Sequence, residues 1–174
     1  MHAAASAQPL PAPPRLRKAL VHGACFGVLA LCCSFLMVLL LSLLPAGMLG
    51  ANAGAGLLNS KIGTVAILFM ACIAIPLYET VLGQFIPFEL LRRLKVRTSL
   101  CVALCGVLFG FGHFLNSGLG HGIATAMGGT VFALAYAYGR NDGARNAFTV
   151  AATAHIVNNS LVMLLSAFGP KLLG

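Results

Sequence analysis

The sequence predicts an all-α, polytopic membrane helical bundle of about five spans, with a proline-broken helix carrying Glu79. Three observations predict it. Of the 174 residues, 59% are hydrophobic and 8% charged, with a mean hydropathy of +0.94, whereas soluble domains carry about 25% charged residues. The apolar residues fall in runs close to the roughly 20 residues that one helix needs to cross hydrocarbon. The basic residues sit in the gaps between those runs rather than on one face. That pattern is membrane topology, so the net charge of +8 does not imply a nucleic-acid partner.

Each element follows from local composition. Residues 1–18 read as a disordered cytoplasmic segment, Ala/Pro-rich and then basic at Arg15, Arg17 and Lys18. Residues 19–44 read as the first transmembrane helix. The alternative is a signal peptide cleaved near Ala51-Asn52-Ala53, but the apolar run exceeds the h-region length of about 7–15 residues. Residues 45–61, with Pro, Gly, Asn and Ser, read as a loop. The apolar stretch Ile62 to Leu91 is interrupted by Pro76 and Pro87. A proline inside a helix removes a backbone hydrogen bond, so the expectation is a helix up to about Leu77, a break, and a second piece through Glu79 to Arg93. Spans at about 99–116, 120–138 and 146–167 come next, the first two joined by Gly118-Leu119-Gly120. Residues 62–167 form the core unit and 168–174 a short tail. The six cysteines all lie in apolar runs without a Cys-x-x-Cys pair and read as packing residues.

Orientation follows from the eleven basic residues. Those at 15–18, 92–97 and 140–145 fall on one side of a five-span bundle, and Lys61 and Lys171 on the other. The positive-inside rule then puts the N-terminus in the cytoplasm. Abundant Ala, Leu and Gly suit a bacterial inner membrane.

The chemistry concentrates in very few residues. There are three acidic side chains, Glu79, Glu89 and Asp142. Glu89 reads as a local ion pair with Arg92 and Arg93. Glu79 has no basic residue within two helical turns. An ionisable group at membrane depth is costly and is by default a functional-site candidate. At about 1.5 Å per residue from the basic loops, Glu79, His113, His155 and Asn159 fall about 20, 24, 15 and 21 Å from one edge, in a single middle layer. His155 and Asn159 share a helix face at i and i+4, and so do Phe109 and His113. Gly106, Gly110 and Gly112 surround the latter pair and favour close helix packing. Taken singly, His113, His155 and Asn159 also read as interhelical hydrogen-bond partners. His22 and His121, at span ends, read as interfacial.

The order of these pieces resembles the CPBP (Abi) family of intramembrane endopeptidases, which includes the CAAX prenyl proteases. The matching segments are Pro76-Leu77-Tyr78-Glu79-Thr80-Val81-Leu82-Gly83-Gln84, Phe109-Gly110-Phe111-Gly112-His113 and His155-Ile156-Val157-Asn158-Asn159. The family's first motif is usually Glu-Glu-x-x-x-Arg. Here Glu79 keeps the first Glu, and Thr80 and Gln84 replace the second Glu and the Arg. The resemblance implies that Glu79 and His113 activate a water and that His155 and Asn159 donate hydrogen bonds to the oxyanion. It also implies that Phe109 fixes the ring of His113. Thr80 and Gln84 are supporting residues, expected to replace the family's ion pair by hydrogen bonding.

The implied activity is hydrolysis of a peptide bond within the membrane, in CAAX-type processing or peptide maturation, with membrane lipid and a peptide or protein substrate as partners. Zinc held by Glu79, His113 and His155 is the metal option. A metal-free mechanism is favoured, because a ligating Glu79 leaves no other buried carboxylate as base. The sequence gives neither oligomeric state nor substrate. The alternative is a catalytically weak or inactive membrane scaffold or bacteriocin-immunity protein of the same fold, supported by Thr80 and Gln84. A proton-coupled carrier lacks a visible inverted repeat. A rhomboid-like serine protease needs Gly-x-Ser-Gly where this chain has Leu115-Asn116-Ser117-Gly118.

Overall fold

The computed structural model describes residues 14–45, Leu49 and residues 63–172. Among the described residues five helices run in chain order: α1, Pro14–Leu41; α2, Thr64–Arg93; α3, Thr98–Ser117; α4, Leu119–Gly139; and α5, Ala144–Leu172. A 3-10 turn, Arg140–Asp142, joins α4 to α5. Leu16–Leu41, Thr64–Arg93, Thr98–Ser117 and Ala144–Ala167 are long and apolar enough to cross a membrane. Helix α4 has the length, at 21 residues, but not the hydropathy. It packs against α1, α3 and α5 at once, so Gly, Thr and His stand where a lipid-facing helix carries Leu. Outward faces elsewhere are lined by Leu, Val and Phe. A bundle with apolar exteriors of this length is an integral membrane protein.

Glycines set the closest approaches. A Cβ on Gly23 would stand 2.5 Å from Cβ of Thr153, and one on Gly27 2.6 Å from the Ala154 carbonyl oxygen, so α1 meets α5 backbone to backbone. A Cβ on Gly110 would lie 2.5 Å from the Gly122 carbonyl oxygen, which locks α3 to α4. Gly118, at φ 84, reverses the chain between these two helices in a single residue, a conformation open to glycine at no steric cost. The buried core is built from Phe88, Cys101, Cys105, Phe132, Tyr136 and Val150.

Three expectations need correction. Residues 14–18 belong to α1 rather than to a disordered segment, and α5 continues to Leu172 rather than ending in a tail. The expected break near Leu77 does not occur. Thr64–Arg93 is one helix of 30 residues, with π-helical segments at Met70–Ala74 and Val81–Phe85 that accommodate the two prolines. Residues 1–13 and most of the 45–61 loop, including Ala51-Asn52-Ala53, lie outside the described residues.

Glu89 is also placed differently. Its main partner is Arg140, whose Nε donates to Oε1 at 2.6 Å, and the Tyr136 hydroxyl donates to the same oxygen at 3.0 Å. Arg92 is a looser partner at 3.7 Å. The hydrogen bond from Arg140 to Glu89 raises the guanidinium's pKa above its ordinary value. This network ties the end of α2 to the α4–α5 turn. Hydrogen bonds to charged groups contribute about 1.5–3 kcal/mol, and Glu89 and Arg140 side chains are 17% and 25% exposed. Glu89→Gln is therefore expected to cost about 1–2 kcal/mol, read as a lower unfolding midpoint in detergent, while Arg93→Gln leaves the midpoint unchanged.

Candidate active site

Glu79 stands on the short α-helical stretch Ile75–Thr80, between the two π segments of α2. A π turn inserts a residue and rotates the helix beyond it, and such turns recur at functional sites. Here it leaves Glu79 between α3 and α5. Its Oε2 lies 3.3 Å from Nε2 of His155 on α5, and its Oε1 lies 3.6 Å from Nε2 of His113 on α3. The expected shared depth is thus accompanied by lateral contact. The two rings differ in exposure: the His155 side chain is 2% exposed, and those of His113 and Glu79 are 26% and 25% exposed.

The surroundings of His155 fix its ring and orient its protons. Phe132 stacks on one face at a centroid distance of 4.3 Å, and Phe109 meets it edge-on at 5.4 Å. Its Nδ1 lies 3.3 Å from the Thr80 hydroxyl oxygen. That hydroxyl donates to the Pro76 carbonyl at 2.7 Å. A hydroxyl has one proton, and the shorter bond takes it. In the tautomer that this arrangement matches, Nδ1–H of His155 donates to Thr80 and the Nε2 lone pair faces Glu79.

Phe109 is the wedge between the two histidines, 4.8 Å from the His113 ring centroid. Its space is reserved by glycine on both sides. A Cβ on Gly83 would fall 2.8 Å from the ring's Cδ2, and one on Gly129 2.7 Å from Cβ of Phe109. Overpacking of this kind costs about 1–3 kcal/mol. Gly83→Ala is expected to displace the ring, read as shifted ring resonances of labelled His113, with a detergent-unfolding curve to confirm the fold. Unchanged resonances would show that Phe109 does not set His113.

Two cavities share Glu79, Phe109 and His113 as a common wall. One of about 400 Å³ lies between α2 and α3, lined also by Tyr78, Leu82 and Asn116. The other, about 330 Å³, is bounded by α1, α4 and α5 and reaches Ser34, His155 and Asn159. His121, in the first turn of α4, lines the second cavity and packs edge-on against His113 at 5.1 Å. The turn at Gly118 carried the signal: a hairpin centred there brings positions on either side of it together.

The remaining expected residues divide. Asn159 reaches the second cavity, but its Nδ2 donates to the Ala71 carbonyl at 3.1 Å, and its Oδ1 accepts from Asn158. Gln84 is fully buried and neither of its amide atoms has a hydrogen-bond partner, so the expected Thr80–Gln84 pair is not formed. As for a metal, zinc bonds of about 2.0–2.2 Å put tetrahedral ligand atoms roughly 3.3 Å apart, which Glu79 and His155 match. His113 faces the other carboxylate oxygen, however, and among the described residues no three His, Cys, Asp or Glu side chains converge as a metal-ligand group. The donors as arranged do not fit a three-ligand zinc centre.

Comparison with known proteins gives a family. Residues 61–161 match the family described as type II CAAX prenyl endopeptidase Rce1-like. The matched stretch holds Glu79, His113, His155 and Asn159 and is more than half of the 174 residues. No curated protein and no solved structure matches the chain. A match over more than half of its length makes the chain a member of the Rce1-like type II CAAX prenyl endopeptidases, a family of intramembrane proteases.

Proposed function

We propose that the protein is a glutamate-dependent intramembrane endopeptidase that cleaves a lipid-anchored or membrane-inserted peptide. The observation that carries this reading is the Glu79 carboxylate, facing Nε2 of His113 with one oxygen and Nε2 of His155 with the other. Water enters between Glu79 and His113. Glu79 takes a proton from it as the oxygen attacks the peptide carbonyl, giving a tetrahedral oxyanion. The proton passes to Nε2 of His155, which accepts it in the tautomer whose Nδ1–H donates to Thr80. The resulting imidazolium donates to the oxyanion and then to the leaving nitrogen, releasing a carboxylic acid and an amine. The second N–H of the Asn159 amide is the other oxyanion donor. Preorganised donors of this kind in a dry site contribute about 10²–10³ in rate.

Thr80, the family departure next to Glu79, supports this reading through its contact with His155. Gln84 favours the scaffold alternative, since a buried amide without partners has no counterpart to the family's Arg. The test is cleavage of prenylated and plain peptides by purified protein in detergent, with and without chelator. Cleavage insensitive to chelator is expected. Loss on chelation would replace the metal-free mechanism, and absence of cleavage from all substrates would favour the scaffold.

A further inference from the structure

Helix α2 uses one device twice. Met70–Ala74 and Val81–Phe85 are five-residue π-helical segments, each succeeded by Ile-Pro. In each, the isoleucine N–H bonds five residues back, Ile75 to the Met70 carbonyl and Ile86 to the Val81 carbonyl. The next carbonyl in line is that of Ala71 in the first copy and Leu82 in the second. Its π-helical donor would be the nitrogen of Pro76 or Pro87, and proline has no N–H. The α-helical donors are already engaged, being the same isoleucine N–H groups. Both carbonyls are therefore orphaned by the sequence.

The two copies then diverge. Asn159 closes the first, donating to Ala71 at 3.1 Å. Gln84, the one polar side chain within the second, has an amide nitrogen that donates to nothing. Leu82 is 45% exposed and lines the 400 Å³ cavity together with Glu79 and His113. It lies three residues beyond Glu79, at the start of the second π segment. In hydrocarbon, an unmet carbonyl is costly and is tolerated where a cavity covers it.

We propose that the Leu82 carbonyl is a substrate-binding group, accepting a backbone N–H of the peptide and holding it extended along α2 past Glu79. An extended peptide carries the unpaired N–H groups that this acceptor lacks. Ile-Pro after the π turn is thus a way of leaving one helix carbonyl free beside the catalytic carboxylate. The assignment deepens the endopeptidase reading and rests on it for the meaning of the site.

The experiment uses a fluorescent C-terminally prenylated peptide and a series in which one backbone N–H at a time, away from the scissile bond, is replaced by an ester oxygen. Binding and cleavage are both measured, on wild type and on Pro87→Ala. Alanine restores an N–H placed to close on Leu82. One ester position is expected to weaken binding and kcat/KM about tenfold in wild type. In Pro87→Ala the parent peptide should show the same loss and the ester penalty should vanish, with an unfolding curve in detergent confirming a folded protein. Binding and cleavage without a position-specific ester penalty, or a penalty unchanged in Pro87→Ala, overturns the Leu82 assignment alone. Binding with the penalty but no cleavage by wild type keeps the Leu82 acceptor and overturns the endopeptidase reading.

Discussion

Glu79→Gln is expected to reduce peptide cleavage about 10²–10⁴-fold, the range associated with a positioned general base. Gln keeps the size and the hydrogen-bonding reach of the side chain but cannot take a proton from water. Substrate binding should change little, so the loss belongs in kcat. The variant should also fold normally, because neither contact of Glu79 is a close ion pair: the two Nε2 distances are 3.3 and 3.6 Å. The measurement is single-turnover cleavage by wild type and variant in the same detergent. Glu79→Asp is the informative companion. It retains the base but draws the carboxylate back by one methylene, and an intermediate rate is expected. Wild-type activity in Glu79→Gln would remove the glutamate mechanism outright, since Glu89 is held by Arg140 and Tyr136 and Asp142 lies in the α4–α5 turn.

Much of this site was readable from sequence because membrane depth is a one-dimensional quantity. Basic residues mark the edges, helical rise is constant, and Glu79, His113 and His155 therefore align before any packing is known. Phe109 and His113 share a face by spacing alone, and their rings do meet. The misses all involve partners distant in sequence or backbone detail. Glu89 has arginines three and four residues away, so local reasoning chooses them, whereas Arg140 is 51 positions distant. The prolines imply a lost hydrogen bond, and a break is one response to that loss. A π turn ahead of each proline is another, and no residue type announces it. Glu79 still meets both histidines because α2 remains a continuous helix. Asn159 was placed on the right face, but its partner, the Ala71 carbonyl, exists only because Pro76 comes after a π turn.

Thr80→Val is the second large effect expected, and it tests whether the family's missing second glutamate has been replaced in function. Valine has nearly the same shape, so the fully buried position remains filled. What is lost is the oxygen 3.3 Å from Nδ1 of His155. That ring is almost completely buried, and an unmet N–H there costs about 1–3 kcal/mol. The ring's cheaper state then places its proton on Nε2, where the Glu79 carboxylate accepts it at 3.3 Å. The base is tied up and the proton acceptor for the next step disappears together. A fall in kcat of about tenfold or more with KM unchanged is expected, at about 1.4 kcal/mol per factor of ten. Thr80→Ser restores the oxygen and should recover most of the rate. Nitrogen chemical shifts of labelled His155 provide a readout that packing alone would not move, shifting from the Nδ1–H to the Nε2–H form in Thr80→Val. A normal kcat in that variant, or a slow Thr80→Ser, would show that Thr80 fills space beside Glu79 without orienting His155.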